Sequence, residues 1–158
     1  MTQPKLRKAR PSDTRAILNL IAGYSSQGLL LPRPFAQVMD KIRDFTVVEE
    51  SEGAPLTGVV ALHPVGEDLA EIRSLAVRED WKGKGLGRQL VDYCLADAKE
   101  MNFQRVFALT YQIGFFEKLG FKKVERLTLP QKIWGDCVHC AKFSDCDEVA
   151  MIRTMDKS

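Results

Sequence analysis

The sequence predicts a mixed α/β (α+β) fold, on three observations. Apolar runs of strand length alternate with amphipathic stretches of helix length. A glycine-rich loop, Lys82-Gly83-Lys84-Gly85-Leu86-Gly87, joins the third predicted strand to the strongest predicted helix. After that helix the pattern runs strand, short helix, extended segment and strand. Two leading helices then give the order α-α-β-β-β-α-β-α-β. With 158 residues, 45% of them hydrophobic, the chain is long enough for one buried core. No repeat, low-complexity tract or linker divides it, so residues 1–158 are read as a single domain.

Each element has a local reason. Pro11-Ser12-Asp13 marks a helix start with Ser12 or Asp13 as cap, and Ile17, Leu20, Ile21 and Tyr24 follow at helical spacing. Gly28 and Leu29-Leu30-Leu31-Pro32-Arg33-Pro34 break that pattern. A short second helix is expected to turn Phe35, Val38 and Ile42 inward. Phe45–Val48 and Gly58–His63 read as the two strands of a hairpin around the turn-rich segment Ser51–Pro55. Leu69–Val77 is the third strand. Leu86, Leu90, Tyr93, Cys94, Ala98 and Met101 fall on one stripe of the helix behind the glycine loop. Arg105–Thr110 reads as a buried strand. Ile113–Leu119 is a short helix stopped by Gly120 in a left-handed conformation, Phe121–Leu129 is extended, and Val149–Arg153 is a last strand.

Charge and composition exclude several classes of function. Lys and Arg number 23 against 21 Asp and Glu, a net charge of +2, which gives no case for a nucleic-acid partner. No apolar run approaches the roughly 20 residues needed to cross a bilayer, and Met1–Asp13 lacks the apolar stretch of a signal peptide. A cytoplasmic protein with reduced cysteines is expected.

A strand, a glycine-rich loop and a long helix make a setting for phosphate. The helix N-terminus offers unpaired N–H groups and the positive end of its dipole. Lys82, Lys84 and Arg88 add positive charge. A Walker loop requires Gly-Lys followed by Ser or Thr, whereas Gly85 follows Lys84 here. A dinucleotide loop requires G-x-G-x-x-G, whereas this one reads Gly83-x-Gly85-x-Gly87. The remaining nucleotide reading is the pyrophosphate of coenzyme A, set against a turn with no ligand.

The wider context decides between those two. Ile72-Arg73-Ser74-Leu75-Ala76-Val77, the loop Lys82–Gly87, and Phe115-Phe116-Glu117-Lys118-Leu119-Gly120-Phe121 occur in this order. In that order they resemble the GNAT superfamily of N-acetyltransferases, with Lys82 at the loop position where that superfamily has Arg or Gln. Gly28–Pro34, Ile42–Val47 and the tail from Leu129 to Glu148 are similar to the amino-acid N-acetyltransferases, the N-acetylglutamate synthases of arginine biosynthesis. They look most like the short members, which lack the accompanying amino-acid-kinase-like domain. The resemblance covers nearly the whole chain.

It implies a mainly antiparallel twisted sheet, splayed between its fourth and fifth strands, with helices on both faces and acetyl-CoA as co-substrate. Lys82, Gly83, Lys84, Gly85, Leu86, Gly87 and Arg88 would hold the pyrophosphate. Leu75, Ala76 and Val77 would pair with the pantetheine arm as an added strand does, and the Leu75 N–H would polarise the thioester carbonyl. Thr110 and Phe116 would line the cofactor. Acetyl transfer needs a neutral amine. Glu71 is the first candidate for the base and His63 the second, each weighed against a structural role. Phe116 occupies the position where the superfamily often has a proton-donating Tyr, so Tyr111, water or unassisted departure must serve the leaving thiolate. Arg33, Arg73 and Arg43 are candidates for an acceptor's carboxylates.

Cys137-Val138-His139-Cys140 and Cys146 contain a C-x-x-C chelate, but no second C-x-x-C or H-x-H pair completes a zinc site. They are read as reduced thiols, with no metal. The functions that follow are acetyl transfer to L-glutamate, acetyl transfer to another amine (another amino acid, a polyamine or a protein N-terminus), or a non-catalytic acyl-CoA sensor. The partner is a small-molecule amino acid, without nucleic acid or membrane, and with a homodimer among the options.

Overall fold

Hydrogen bonding joins seven strands into one mixed sheet in the order β1-β2-β3-β4-β5-β7-β6. It is mostly antiparallel, with a parallel pairing of β4 to β5. The structure, a computed structural model, describes residues 5–25, 34–125 and 149–155. The strands are β1 (Lys5–Lys8), β2 (Phe45–Glu49), β3 (Leu56–Pro64), β4 (Leu69–Val77), β5 (Arg105–Thr110), β6 (Lys122–Val124) and β7 (Val149–Thr154). The α-helices are α1 (Thr14–Ser25), α2 (Phe35–Asp40), α3 (Leu86–Glu100) and α4 (Ile113–Lys118). The chain divides into two compact units. The first comprises Met1–His63 and Ile72–Asp97, the second Pro64–Glu71 and Ala98–Ser158. Strand β4 contributes to both.

In the first unit, Ile17 and Ile21 of α1 and Val38 of α2 pack with Phe45 and Val47 of β2, Val59 of β3 and Ala76 of β4. Burying each such aliphatic side chain is worth about 1.5–3 kcal/mol, so this cluster secures the two helices. Helix α3 approaches β3 at Gly58, where a Cβ would lie 3.0 Å from Leu90 Cδ1 and 3.4 Å from Leu86 Cδ2. Strand β1 was not expected from the sequence. It pairs antiparallel with β2, from Lys5 opposite Glu49 to Lys8 opposite Thr46. Its charged, four-residue sequence hides it from an apolar-pattern search, and is the composition that keeps a sheet edge from pairing with other chains. Arg7 makes the strand a clasp. Its guanidinium donates to both Asp13 carboxylate oxygens, at 2.8 and 3.0 Å, and to both of Glu49, at 3.1 and 3.3 Å. Asp13 does not cap α1 forward. It accepts the Arg10 N–H at 2.7 Å and closes the 3-10 turn Pro11–Asp13 that precedes the helix.

In the second unit, β5 pairs antiparallel with β7 along its whole length, and β6 pairs with the other edge of β7. Val65, Leu69, Phe107 and Ala150 form its core, with Leu109, Val124 and Ile152 against them. The pairing of β4 with β5 takes in Leu69, Ala70 and Glu71 opposite Arg105, Val106 and Phe107. Helices α3 and α4 end alike. The N–H of Phe103 reaches the Ala98 carbonyl and that of Asn102 the Lys99 carbonyl, with Asn102 left-handed at φ 67°. The N–H of Phe121 reaches the Phe116 carbonyl and that of Gly120 the Glu117 carbonyl, with Gly120 at φ +88°. Both are Schellman caps, in which the residue after the left-handed one is apolar and packs back on the last turn.

Two side chains expected inside are outside. Phe35 is 43% exposed, with the Arg15 guanidinium 5.3 Å from its ring centre. Met101 is 51% exposed, because α3 ends at Glu100 and the stripe does not extend to it.

Candidate functional site

The glycine loop lies just ahead of α3. Gly83 and Gly85 take φ of +80° and +79°, values that L residues reach only under strain, and a Cβ on either would meet nothing within 4 Å. The glycines are therefore required by backbone conformation and not by crowding. The Gly85 carbonyl accepts the first helical hydrogen bond, from the Gln89 N–H at 3.1 Å. Residues 82–85 are exposed, just ahead of the N-terminal end of α3, a setting that suits an anion. The cations around the loop are engaged within the protein. Lys82 Nζ lies 2.9 Å from Glu79 Oε2, Lys84 Nζ lies 4.9 Å from the Trp81 ring centre, and Arg88 lies 3.8 Å from Asp92.

Upstream, β4 is irregular at one position. Ser74 is buried, with φ 56° in the middle of the strand. A left-handed residue breaks the alternation on which sheet pairing depends. Leu75 is half-buried, while Ala76 and Val77 are buried. Glu71 is buried at 8% exposure, in the part of β4 that pairs with β5.

At the end of β5, the buried Thr110 accepts the Gln112 N–H on its Oγ1 at 2.8 Å, which shapes the turn into α4. Tyr111 is half-buried. Phe116 is buried and meets Phe115 and Phe121 edge-to-face, each with ring centres 5.1 Å apart. Its contact with Phe121 is the apolar contact of the α4 cap, a structural role that accounts for the aromatic residues on either side of Leu119-Gly120.

A third feature was not legible in the sequence. Lys41, Asp44, Arg73 and Ser74 line a small open recess with Gln37, and Val38, Phe45 and Ala61 form its apolar wall. Asp44 Oδ2 lies 2.7 Å from Nδ1 of His63. Of the three arginines assigned to the acceptor, Arg73 is at this recess and Arg43 is exposed in the turn Ile42–Asp44. Arg33 lies outside the described residues, as do Cys137, His139, Cys140 and Cys146. Among the described residues, no group of three or more His, Cys, Asp or Glu side chains is gathered as a metal would need. No described helix is long and apolar enough to cross a membrane.

The sequence model of the acetyltransferase (GNAT) family matches residues 16–121. The chain belongs to the acetyltransferase (GNAT) family. It is accordingly an acetyltransferase with acetyl-CoA as co-substrate, and the seven-stranded sheet with its parallel β4–β5 pairing is the GNAT fold. Over 150 residues it is 41% identical to an uncharacterized N-acetyltransferase of Chlorobaculum tepidum, covering 95% of this chain and 96% of that one. Over 135 residues it is 33% identical to an amino-acid acetyltransferase of Mycobacterium tuberculosis, covering 85% and 77%. Its structure is similar to that of N-acetylglutamate synthase from Neisseria gonorrhoeae complexed with coenzyme A and N-acetyl-glutamate, with a TM-score of 0.86 at 26% identity. That likeness covers 99% of this chain and 36% of the other. The longer amino-acid acetyltransferases, such as that of Shewanella oneidensis at 35% identity, are matched over 29% of their length.

Proposed function

We propose that this GNAT enzyme transfers the acetyl group of acetyl-CoA to the α-amine of L-glutamate, the opening reaction of arginine biosynthesis, in the cytoplasm. The observation that carries the acceptor is its 33% identity to an amino-acid acetyltransferase over 77% of that protein's length. The structural likeness to an N-acetylglutamate synthase supports it.

The residues divide the work as follows. The amides from Lys82 to Gly87, opened by Gly83 and Gly85, take the pyrophosphate, and Lys82, Lys84 and Arg88 exchange their internal partners for it. Beyond Ser74, the backbone of Leu75, Ala76 and Val77 pairs with the pantetheine arm, and the Leu75 N–H polarises the thioester carbonyl. Glu71 removes a proton from the ammonium of the acceptor, directly or through water. The neutral nitrogen then forms a bond to the carbonyl carbon as the C–S bond breaks. Tyr111 gives a proton to the departing thiolate and regains one from the acylated nitrogen, which sheds its second proton to become the amide. Thr110 and Phe116 contribute to the cofactor site, Thr110 by holding the turn that bears Tyr111 and Phe116 by anchoring α4. Arg33, Arg43 and Arg73 supply cations for the two carboxylates of the acceptor.

The test is steady-state release of free CoA from acetyl-CoA with a panel of amino acids, a polyamine and a peptide N-terminus. L-Glutamate is expected to give the highest kcat/KM. Turnover of the polyamine or peptide alone would replace this reading with a different acceptor. Release with no acceptor at all would leave acyl-CoA binding as the function.

A further inference from the structure

Ser74 is costly to the fold twice over. Its φ of 56° in mid-strand is a conformation that a residue with a Cβ holds only under strain. It is also buried, at 7% exposure, and among the described residues its hydroxyl makes no hydrogen bond. Buried hydroxyls are nearly always paired, so one left open requires an explanation. The conformation decides where that hydroxyl is presented. Arg73 and Ser74 are consecutive, yet both line the small recess beside Asp44. Alternation along a regular strand would turn one of them to the other face. The recess has room for about one water-sized group, so it suits a single polar atom and not a side chain. The next residue, Leu75, carries the N–H assigned to the thioester carbonyl. A donor hydroxyl and a donor amide thus follow each other at the irregular point of β4.

We propose that Ser74 is a catalytic residue: its hydroxyl donates a hydrogen bond to the thioester carbonyl oxygen of acetyl-CoA, beside the Leu75 N–H, and completes an oxyanion site. As the amine nitrogen bonds to the carbonyl carbon, an electron pair of the C=O bond moves onto that oxygen. It returns when the C–S bond breaks and sulfur leaves with the bonding pair as thiolate. Ser74 keeps its proton throughout, and its hydrogen bond is strongest while the oxygen carries charge. The strain at Ser74 is then what sets the hydroxyl beside the amide before the reaction begins. This inference rests on the reading that the Leu75 N–H meets that carbonyl.

The experiment compares wild type, Ser74→Ala, which loses only the hydroxyl, and Ser74→Gly, which also frees the backbone, in two measurements. The first is steady-state kinetics with acetyl-CoA and L-glutamate. Both variants are expected to lose about a hundredfold in kcat, the effect of removing one oxyanion donor. The calorimetric Kd of acetyl-CoA should stay within about twofold of wild type, as for a contact made chiefly in the transition state. An unchanged kcat in Ser74→Ala overturns the role of the hydroxyl. So does full activity in Ser74→Gly with loss in Ser74→Ala, since backbone conformation alone would then matter. The second measurement needs no acceptor. It is isotope-edited infrared spectroscopy of bound acetyl-CoA labelled at the carbonyl carbon. Wild type should lower the carbonyl stretch below that of acetyl-CoA in buffer, and Ser74→Ala should give back part of that shift. An equal shift in both proteins leaves Leu75 as the donor and overturns Ser74. No shift in wild type overturns the placement of the carbonyl at Leu75, and this inference with it.

Discussion

Gly85 and Ser74 have the same kind of backbone, and only one of them is a glycine. At Gly85 the left-handed φ of +79° costs nothing and leaves open space in front of the loop. Gly85→Asp adds strain of about 1–2 kcal/mol and puts a negative charge into the path of the phosphates. Acetyl-CoA affinity measured by calorimetry should fall by an order of magnitude or more while the circular dichroism spectrum is kept, and unchanged affinity would remove the loop from the binding site. At Ser74, φ 56° is held by a residue with a Cβ, and the strain sits beside the recess that Ser74 lines. Strain of this kind concentrates where function requires it. Ser74→Gly should leave stability within about 1 kcal/mol of wild type in urea denaturation, because relief of the strain is offset by the greater entropy of an unfolded glycine. A larger loss would show that the Ser74 hydroxyl anchors β4. Cys94 is buried, and burial pushes its thiol up to about 12. It remains protonated at neutral pH, and in the folded protein it should resist iodoacetamide until the chain is unfolded.

At the scale of the element, the cap of α4 joins a backbone requirement to a packing contact. Gly120→Ala introduces a Cβ at φ +88°, next to the Arg153 side chain at 3.5 Å. Arg153 also donates to the Leu119 carbonyl at 2.8 Å. A destabilisation of about 1–2 kcal/mol is expected from the backbone alone, read as a lowered urea midpoint. The clasp on β1 predicts a dependence on pH. The guanidinium of Arg7 holds the Asp13 carboxyl below its ordinary value, chiefly by hydrogen bonding. A lowered carboxyl stabilises the fold above the pKa of the unfolded chain, about 4, and that contribution is lost as pH falls through the folded value. Asp13→Asn should therefore cost about 1–3 kcal/mol at pH 7, with the gap to wild type closing as the solution is acidified into that range. A gap independent of pH would mean that packing, not charge, is what Asn fails to reproduce. These elements differ in how far the sequence discloses them. The stop at Gly120 and the loop at Gly83 and Gly85 are legible because one residue type meets a local backbone need. Strand β1 is hidden because its pairing comes from Glu49 and its neighbours, about forty positions away. The recess is hidden for the same reason, since Lys41, Asp44, His63 and Arg73 meet only after three strands have paired. Phe35 and Met101 mislead because helical spacing assigns a face, and not the residue at which the helix ends.

Across the whole molecule, charge is close to balance, at +2. Long-range attraction therefore contributes little to capture of an anionic cofactor, and the rate of association should depend only weakly on ionic strength. On the proposed cofactor site, recognition falls to the few charges around the glycine loop, and those charges already have partners within the protein. Lys82 rests on Glu79, Lys84 on Trp81 and Arg88 on Asp92. The two acids act as resident competitors. On the proposed site, each must give up its lysine or arginine before phosphate can take it. Exposed pairs of this kind are worth about 0.2–1 kcal/mol. Removing a competitor should therefore strengthen binding. Glu79→Gln is expected to lower the dissociation constant of acetyl-CoA by up to about fivefold, although it deletes an interaction that the folded protein makes. On the proposed cofactor site, Glu79 and Asp92 would favour release of CoA by taking the cations back as it leaves.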